Sequence, residues 1–244
     1  MTRRLVVHSD AIDGDSATIT GSLHHYLCHV LRLRQGDTLV LVDGTGTEHE
    51  GTIQAFSSLE VRIDITARRS PISPGPRLIL VQGMSRRAKH ELVLQKSTEL
   101  GVDWVLPAQC QRSVSRPAEP GRKLERWLEI VAHAARQCQR STLPLLSLPQ
   151  PLGQALAQAG SSADVCLLAR PGGRPLADLA PRLVRTRGVA VAVGPEGGLT
   201  EEEVQQAEEL GFTPVNLGPL VLRTETAAVV MLALVAQLSG RLSA

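Results

Sequence analysis

The chain has 244 residues, of which 43% are hydrophobic and 20% are charged, and its formal net charge is +2. This composition excludes a disordered chain, and the length allows one large folded domain or two modest ones. The longest apolar run, Ala227 to Ala236, is half of the roughly 20 residues that a membrane-spanning helix needs. The apolar stretch at the N-terminus is too short for a signal peptide. We therefore expect a cytoplasmic protein whose four cysteines are reduced.

The positive charge is concentrated in the middle of the chain. Residues 77–143 contain 12 basic and 6 acidic residues, whereas the segments on either side have more acidic than basic residues. A basic block of this kind is typical of proteins that bind a polyanion. On charge alone, a solvated helical face explains it equally well.

The first 70 residues are rich in short strand patterns. Strands are predicted over 38–42, 47–56 and 59–66, with a turn at 43–46 and a short helix over 24–31. This density of short strands predicts a small β-barrel domain over residues 1–70. The proline-rich and uncharged residues 71–76 then predict an interdomain linker.

Residues 77–244 alternate between apolar strands and helices. Strands are predicted over 78–82, 104–106, 165–168, 189–193 and 214–217, and helices over about 86–100, 122–140, 175–185, 200–210 and 224–239. Strands that are apolar throughout are typical of a parallel sheet covered on both faces, so this part is predicted to be an α/β domain. The last helix has no polar face over Ala227–Ala236, which predicts that the fold or a second subunit encloses it.

A glycine-rich segment, Gly194-Pro195-Glu196-Gly197-Gly198, separates the fourth of these strands from the next helix. Open α/β sheets bind ligands at the carboxyl ends of their strands, and glycines allow a backbone to approach a ligand closely. Thr200 and Glu203 have the spacing of a capping box. The acidic residues here favour a ligand with a positive centre over a pyrophosphate. A tight turn without a ligand is the alternative.

A second loop of this kind, 217–227, leads into the last helix. Thr224 is predicted to be the N-cap of that helix. Arg223 stands directly before an apolar helix and needs a partner, which Glu225, Glu196 or a ligand could supply. Capping alone would explain Thr224 and Glu225, but it would leave Arg223 unexplained.

Basic residues begin the helix predicted over 86–100, although a helix N-terminus favours acidic residues. This arrangement predicts an anionic partner, with simple surface charge as the alternative.

A separate pair, His24 and Cys28, has the i, i+4 spacing that could hold zinc. No second Cys/His pair lies nearby in the sequence, so we expect no metal.

Taken together, these motifs resemble the signatures of the RsmE-type 16S rRNA methyltransferases, a family of the SPOUT class. They occur in the expected order over nearly the whole chain, at residues 30–37, 96–102, 137–140, 194–198, 217–218 and 222–227. Several positions depart from the family pattern, Leu199 and Thr200 only mildly. Arg136 stands where an acidic residue is common, and Ala169-Arg170-Pro171 stands where a His-Pro-Arg stretch is often found.

The resemblance implies a SPOUT-type α/β trefoil-knot methyltransferase domain with a parallel sheet, preceded by a PUA-like β-barrel domain that helps to bind RNA. It also implies S-adenosyl-L-methionine as cofactor and N3 of a uridine in 16S rRNA as the methyl acceptor, at position 1498 in the usual rRNA numbering. The expected partners are 16S rRNA, within the small ribosomal subunit, and a second copy of the chain that forms a homodimer through the knot region.

The resemblance also implies a set of site residues. The cofactor is expected to be bound by Leu168, Gly194, Pro195, Glu196, Gly197, Gly198, Leu217, Gly218, Leu222, Arg223, Thr224, Thr226 and Ala227. Arg223 is expected to stabilise charge on the uracil carbonyls, and Glu225 or Glu196 to orient Arg223 or accept the N3 proton. RNA is expected to contact Arg3, Arg4, Arg32, Arg34, Arg86, Lys89, Arg112, Arg136 and Arg140.

Three alternative functions would each require different features of this sequence. A nicotinamide-dependent oxidoreductase would need a glycine-rich turn after the first α/β strand, where residues 83–87 contain a single glycine. A non-catalytic rRNA-binding or assembly factor would explain the basic block and the barrel, but it would not explain two ligand-type loops. A knotted methyltransferase with another RNA target remains the third possibility.

Overall fold

The computed structural model describes residues 3–7, 9–42, 47–69, 75–114, 120–138, 140 and 143–242. The chain divides into two compact units, residues 1–72 and 73–244. The turn predicted at 43–46 and residues 71–74 of the predicted linker lie outside the described residues.

The first unit is built on a mainly antiparallel sheet. Its strands are β1 (Arg3–Val6), β2 (Ile12–Asp13), β3 (Ser16–Thr20), β4 (Thr38–Val42), β5 (Glu48–Phe56) and β6 (Glu60–Arg69). Their order is β1-β4-β5-β6-β3-β2, and β1 pairs with β4 in parallel. A helix, α1 (Gly21–His25), continues into a π-helical turn over Tyr26–Val30. A 3-10 turn covers Ser9–Ala11.

The burial pattern of this sheet follows the alternation of its sequence. Every second residue of β3 is buried, and the buried Ala17 and Ile19 belong to the same core as Val61 and Ile63 of β6. The strands predicted over 38–42, 47–56 and 59–66 are confirmed as β4, β5 and β6. The strands β1, β2 and β3 were missed because none contains an apolar run: β1 begins with two arginines, β2 has only two residues, and β3 has polar residues at three of its five positions.

The second unit is a parallel sheet with helices, as predicted. Its strands are β7 (Arg77–Gly83), β8 (Trp104–Gln109), β9 (Leu145–Leu146), β10 (Gln150–Pro151), β11 (Val165–Pro175), β12 (Gly188–Val193) and β13 (Phe212–Asn216). The order is β10-β8-β7-β12-β11-β13, with β9 also paired to β8, and every pairing is parallel. All six residues of β12 are buried, as expected for a central strand.

Six α-helices accompany this sheet within the described residues. They are α2 (Arg87–Glu99), α3 (Pro120–Gln137), α4 (Leu152–Ser161), α5 (Ala180–Leu183), α6 (Glu201–Glu209) and α7 (Thr224–Leu238), with a 3-10 turn over Leu176–Leu179 before α5. Helix α4 was not predicted, and its N-cap, Pro151, makes no side-chain capping hydrogen bond. That helix therefore lacks the start signal that marks α6. None of the described helices is both long and apolar enough to cross a bilayer.

The last helix, α7, is only partly enclosed by its own chain. Ala228, Met231, Leu232, Val235 and Ala236 are buried in the core of the unit. Leu234, in contrast, is 42% exposed. The fold of one chain therefore does not enclose α7 on all sides, and its enclosure by a second subunit stays a proposal.

Strand order determines where the loops of the second unit meet. Because β7, β12, β11 and β13 are parallel neighbours, their carboxyl ends lie along one edge of the sheet. The segment after β7, the glycine-rich loop after β12 and the loop after β13 therefore converge there.

Candidate active site

A cavity of about 690 Å³ lies at this edge of the sheet. Its volume falls within the range of about 300–1,000 Å³ that is typical of small-molecule sites. All the residues predicted to bind the cofactor line it except Thr226, which is exposed on the first turn of α7. The lining residues among them are Leu168, Gly194, Pro195, Glu196, Gly197, Gly198, Leu217, Gly218, Leu222, Arg223, Thr224 and Ala227.

The loop after β12 is a tight turn held against the end of β7. The Gly198 N–H donates to the Pro195 carbonyl oxygen at 2.9 Å, and Gly198 has a φ of +70°, which favours glycine. At Gly83, a Cβ atom would lie 2.5 Å from the Pro195 nitrogen and 2.8 Å from the Gly194 carbonyl carbon. Only glycine at position 83 allows the two backbones to come this close.

The helix after this loop is anchored by the predicted capping box, which is confirmed. The Thr200 hydroxyl accepts the Glu203 N–H at 3.3 Å, and the Glu203 carboxylate accepts the Thr200 N–H at 2.9 Å. The other carboxylate oxygen of Glu203 accepts the Gln111 N–H at 2.7 Å. The start of α6 is thereby tied to the chain that follows β8.

Glu196 and Glu225 lie on either side of Lys89. The Lys89 Nζ is 3.6 Å from Glu196 Oε1 and 3.8 Å from Glu225 Oε2. Glu196 Oε1 also accepts the Arg86 N–H at 3.0 Å. Burial by itself would raise the pKa of Glu196, but the Arg86 N–H and Lys89 outweigh burial and lower it. Glu196 is thus held as a carboxylate in the cavity wall.

Thr224 links the last helix to two strand ends instead of capping that helix. The N-cap of α7 is Arg223, with a φ of −64° and a ψ of 152°, so the prediction that Thr224 is the N-cap was wrong. The Thr224 hydroxyl donates to the Gly194 carbonyl oxygen at 2.6 Å and accepts from Gln82 Nε2 at 3.0 Å. Because both of these partners belong to the sheet edge, the hydroxyl is not available for capping.

Arg223 is exposed and lines the cavity. Within the described residues, its side chain makes no ion pair or hydrogen bond. The expectation that Glu196 or Glu225 pairs with Arg223 therefore finds no support, because Lys89 lies between those two carboxylates. An exposed guanidinium carries little desolvation cost, so it does not require a protein partner.

The basic residues predicted to bind RNA fall into two groups. Arg3, Arg32, Arg34 and Arg86 are exposed, and so is Arg112, whose side chain also contacts the protein as described below. Arg32 has a φ of +49°, which is uncommon for a residue other than glycine and is often found at functional sites. Lys89 is partly exposed and paired as described above. The side chains of Arg4 and Arg136 lie outside the described part of the structure.

The other two predicted RNA contacts, Arg112 and Arg140, are engaged within the protein. Arg140 Nη1 donates to the carbonyl oxygens of Thr98 at 3.0 Å and Val102 at 2.8 Å, where α2 ends. Arg112 Nη1 donates to the carbonyl oxygens of Gly197 at 3.2 Å and Leu199 at 3.4 Å. These contacts favour structural roles: Arg140 holds a helix C-terminus, and Arg112 supports the glycine-rich loop.

Several lining residues were not predicted. Arg170 follows the buried part of β11 and forms a two-point ion pair with Glu201, at 2.8 and 2.7 Å. Leu220 and Val221 are 76% and 82% exposed in the loop after β13. Residues 169–171 could have been identified as lining residues from their position at the end of a predicted strand. The further unpredicted lining residues are Ala169, Pro171, Val193, Leu199, Val204 and Asn216.

The histidine and cysteine cluster of the first unit makes local contacts. His24 Nε2 lies 3.0 Å from the Ser57 carbonyl oxygen and 3.5 Å from Cys28 Sγ. Among the residues that the structure describes, no group of three or more His, Cys, Asp or Glu side chains could hold a metal ion.

Two family models match the chain. One, described as an RNA methyltransferase domain, matches residues 73–236, and the other, an RNA methyltransferase PUA domain, matches residues 19–65. Among curated proteins, the ribosomal RNA small subunit methyltransferase E of Synechocystis sp. is 32% identical and covers 96% of this chain and 77% of its own length. Its namesake in Mycobacterium bovis is 31% identical, with 93% of this chain and 88% of the relative covered.

Solved structures are similar over nearly the whole chain. The ribosomal RNA small subunit methyltransferase E of Neisseria gonorrhoeae, bound to S-adenosyl methionine, is 29% identical with a TM-score of 0.61, and the match covers 98% of each chain. A Legionella pneumophila methyltransferase in complex with the same cofactor is also 29% identical, with a TM-score of 0.63 and coverage of 97% of this chain and 98% of that one.

Proposed function

The chain belongs to the ribosomal RNA small subunit methyltransferase E family, and on that premise we propose that it methylates N3 of a uridine in 16S rRNA, at position 1498 in the usual numbering. It is an S-adenosylmethionine-dependent rRNA methyltransferase with a SPOUT-type α/β domain and a PUA domain. Experiments have to test which atom of the RNA is methylated and which residues of the protein act on it.

The observation that carries the proposal is the composition of the cavity wall. Leu168, Leu217 and Leu222 give it apolar surfaces that suit an adenine ring, and the glycine-rich loop exposes backbone groups. Glu196 adds a carboxylate whose Oε2 has no hydrogen-bond partner in the described structure. A cofactor with both an aromatic base and a cationic sulfonium fits this combination.

The cofactor supplies an electrophilic methyl group when bound, and the protein has to position the uracil and balance its charge. Holding two reactants in line can account for a large part of a rate enhancement. Arg223 is the exposed cation of the cavity wall that forms no ion pair within the described residues. We assign it the stabilisation of negative charge on the uracil carbonyl oxygens as N3 loses its proton.

Of the two candidate proton acceptors, only Glu196 is a lining residue. Glu225 lies on the first turn of α7, 3.8 Å from the Lys89 ammonium. Proton transfer needs an acceptor within hydrogen-bond reach of N3 in the bound complex. We therefore assign the acceptor to Glu196, and to Glu225 the positioning of Lys89.

RNA binding is assigned to the exposed arginines Arg3, Arg32 and Arg34 of the first unit and to Arg86 of the second. The chain has only two Trp, one Tyr and two Phe, so extended base-stacking platforms are not available. Contacts to phosphates must then supply most of the affinity, and the target uracil has to leave its stack to reach the cavity.

We also assign a homodimer in the cytoplasm. Leu234 of α7 is 42% exposed, and Val229, Val230 and Ala233 of the same helix are half-buried. A second copy of the chain that covers this apolar stripe would remove it from water, which favours dimer formation.

The decisive experiment uses labelled S-adenosylmethionine and 30S subunits from cells that lack the activity, followed by nucleoside mass spectrometry. The proposal predicts N3-methyluridine in 16S rRNA. A label on another nucleoside would move the target and leave the enzyme class intact. No label, together with no detectable cofactor binding, would favour the non-catalytic rRNA-binding factor.

Arg223 is tested by the pair Arg223→Lys and Arg223→Ala. Both should lower turnover by about 100-fold or more while changing cofactor affinity by no more than about threefold, because the assigned role is confined to the transition state. An equal fall in both quantities would make Arg223 a cofactor-binding residue instead.

A further inference from the structure

A buried glutamine connects the end of β7 to both loops of the cavity. Gln82 is fully buried, and its Nε2 donates to the Gly83 carbonyl oxygen and to Thr224 Oγ1, both at 3.0 Å. The Thr224 hydroxyl in turn donates to the Gly194 carbonyl oxygen at 2.6 Å. A hydrogen-bonded chain thus runs from one strand, through the first residue of α7, to the backbone of the loop after β12.

The direction of each hydrogen bond in this chain is fixed. Reversing the Gln82 amide would place Oε1 against the Gly83 carbonyl oxygen, so Nε2 has to face it. The Thr224 hydroxyl then receives one hydrogen from Gln82 and gives its own to Gly194, whose carbonyl can only accept. A fully specified chain of this type holds its members in one geometry.

The polar group at position 82 is costly to bury. Its Oε1 is buried and has no hydrogen-bond partner in the described structure. A buried acceptor without a partner costs free energy, and an apolar residue in this strand position would avoid that cost. The neighbouring strand residues Leu80 and Val81 are apolar and buried. Stability of the sheet alone therefore does not account for Gln82.

We propose that Gln82 is a positioning residue for the cofactor: through the Thr224 hydroxyl it holds the Gly194 carbonyl, and with it the loop after β12, in the geometry that binds the cofactor. This inference rests on the proposed function. Gln82 itself is not a cavity-lining residue, whereas Thr224 and Gly194 are. Gln82 therefore acts on the cofactor only through them.

The test measures S-adenosylmethionine affinity by calorimetry on the purified full-length chain, without RNA. Thr224→Val removes the hydroxyl at nearly constant volume, and Gln82→Leu removes the donor. Each should weaken binding by about tenfold or more, because small displacements of a positioning group have large effects. Thr224→Ser retains the hydroxyl and should stay within about threefold of the wild type.

The matched control is Thr98→Val. Thr98 is also fully buried, and its hydroxyl donates to the Leu94 carbonyl oxygen at 2.7 Å, inside α2. Thr98→Val loses one buried hydroxyl hydrogen bond and Thr224→Val loses two, so Thr98→Val should also lower the unfolding midpoint but leave the affinity unchanged. If Gln82→Leu does not fold, Gln82→Asn replaces it, since the shorter amide cannot reach Thr224.

The double variant Gln82→Leu/Thr224→Val decides whether the two residues act together. The proposal predicts that the double variant binds the cofactor within about threefold of the affinity of the more weakly binding single variant. Either substitution alone already interrupts the hydrogen-bonded chain, so the second should add little. Multiplied effects, or wild-type affinity in both single variants, would overturn it. If the wild-type chain itself does not bind the cofactor, the proposed function fails and this inference fails with it.

Discussion

The carboxylate of Glu196 accepts the backbone N–H of Arg86 at 3.0 Å, across 110 residues of sequence. The N-terminus of α2 has no acidic residue in its first turn, and this carboxylate provides the negative charge that a helix N-terminus favours. Arg86, Lys89 and Glu196 therefore form one arrangement in which the cavity wall and the helix stabilise each other. The basic start of α2, unexplained by the sequence around it, is accounted for in part by this contact.

A substitution at Glu196 can distinguish the effect of its negative charge from that of the hydrogen bond it accepts from the Arg86 N–H. Glu196→Gln keeps an oxygen that can accept the Arg86 N–H but removes the negative charge beside the cavity. We expect methyl transfer to fall by about 100-fold or more, in line with the loss of a proton acceptor. Glu225→Gln should cost less, since Glu225 is not a lining residue. The reverse order in single-turnover assays would transfer the acceptor role to Glu225.

Gly83→Ala should displace the glycine-rich loop. The new Cβ would lie 2.5 Å from the Pro195 nitrogen and 2.7 Å from its Cδ, so the loop has to move. We expect cofactor affinity to fall by about tenfold or more. Gly160→Ala is the control, because its Cβ would meet nothing closer than 3.5 Å. Equal affinities of the two variants in calorimetry would show that the loop tolerates the displacement.

Arg241→Ala should destabilise the second unit strongly. Arg241 is almost fully buried and donates to the Pro76 and Gly101 carbonyl oxygens and to Asp103 Oδ1, at 2.7, 2.6 and 2.7 Å. Removing it leaves Asp103 without its closest ion-pair partner, a loss of about 3–5 kcal/mol. Both tryptophans, Trp104 and Trp127, lie in this unit, so urea unfolding followed by fluorescence reports on it.

The control for Arg241 is Arg187→Ala. The Arg187 side chain is 93% exposed and lies 3.6 Å from Asp164, so its loss should cost less than about 1 kcal/mol. A loss of similar size in the two variants would mean that the Arg241 contacts add little to stability.

Glu91 should make the packing of α2 against α3 sensitive to acid. Hydrogen bonds from Arg126 and then Arg87 lower the pKa of Glu91 from 4.5 to about 2, despite the opposing effect of burial. Because the pKa is lower in the folded state, the stabilisation is complete above about pH 4.5 and disappears as the pH falls towards about 2. The stability difference between wild type and Glu91→Gln should therefore shrink over this window. A constant difference in urea midpoints at pH 7, 4.5 and 3 would contradict this assignment.

Arg34→Ala should weaken RNA binding uniformly and reduce its salt dependence. Each lost phosphate contact lowers the slope of log affinity against log salt by about 0.7–0.9. Arg62→Ala is the control in the same unit, since Arg62 is exposed but paired with Glu60 at 2.8 Å. Filter binding to a 16S rRNA fragment at several salt concentrations distinguishes the two. An unchanged slope for Arg34→Ala would remove this residue from the RNA surface.

Features that depend on a local pattern of residues could be predicted before the structure was known. Apolar runs identified β7, β8, β11, β12 and β13, and the spacing of Thr200 and Glu203 identified the start of α6, because periodicity and capping act over a few residues. The glycine-rich loop was recognised for the same reason. Elements without such a pattern, such as the two-residue strands and the uncapped α4, could not be found in this way.

The pairing of the polar groups, in contrast, could not be predicted from local patterns. Lys89, and not Arg223, lies between Glu196 and Glu225, and the Thr224 hydroxyl holds a strand end instead of capping its helix. Gln82 and Thr224 are 142 residues apart in the chain and meet only because the end of β7 and the start of α7, which follows β13, lie at one edge of the sheet. Hydrogen bonds form within about 3 Å, so partners this distant in sequence are set by strand order, which no local pattern encodes.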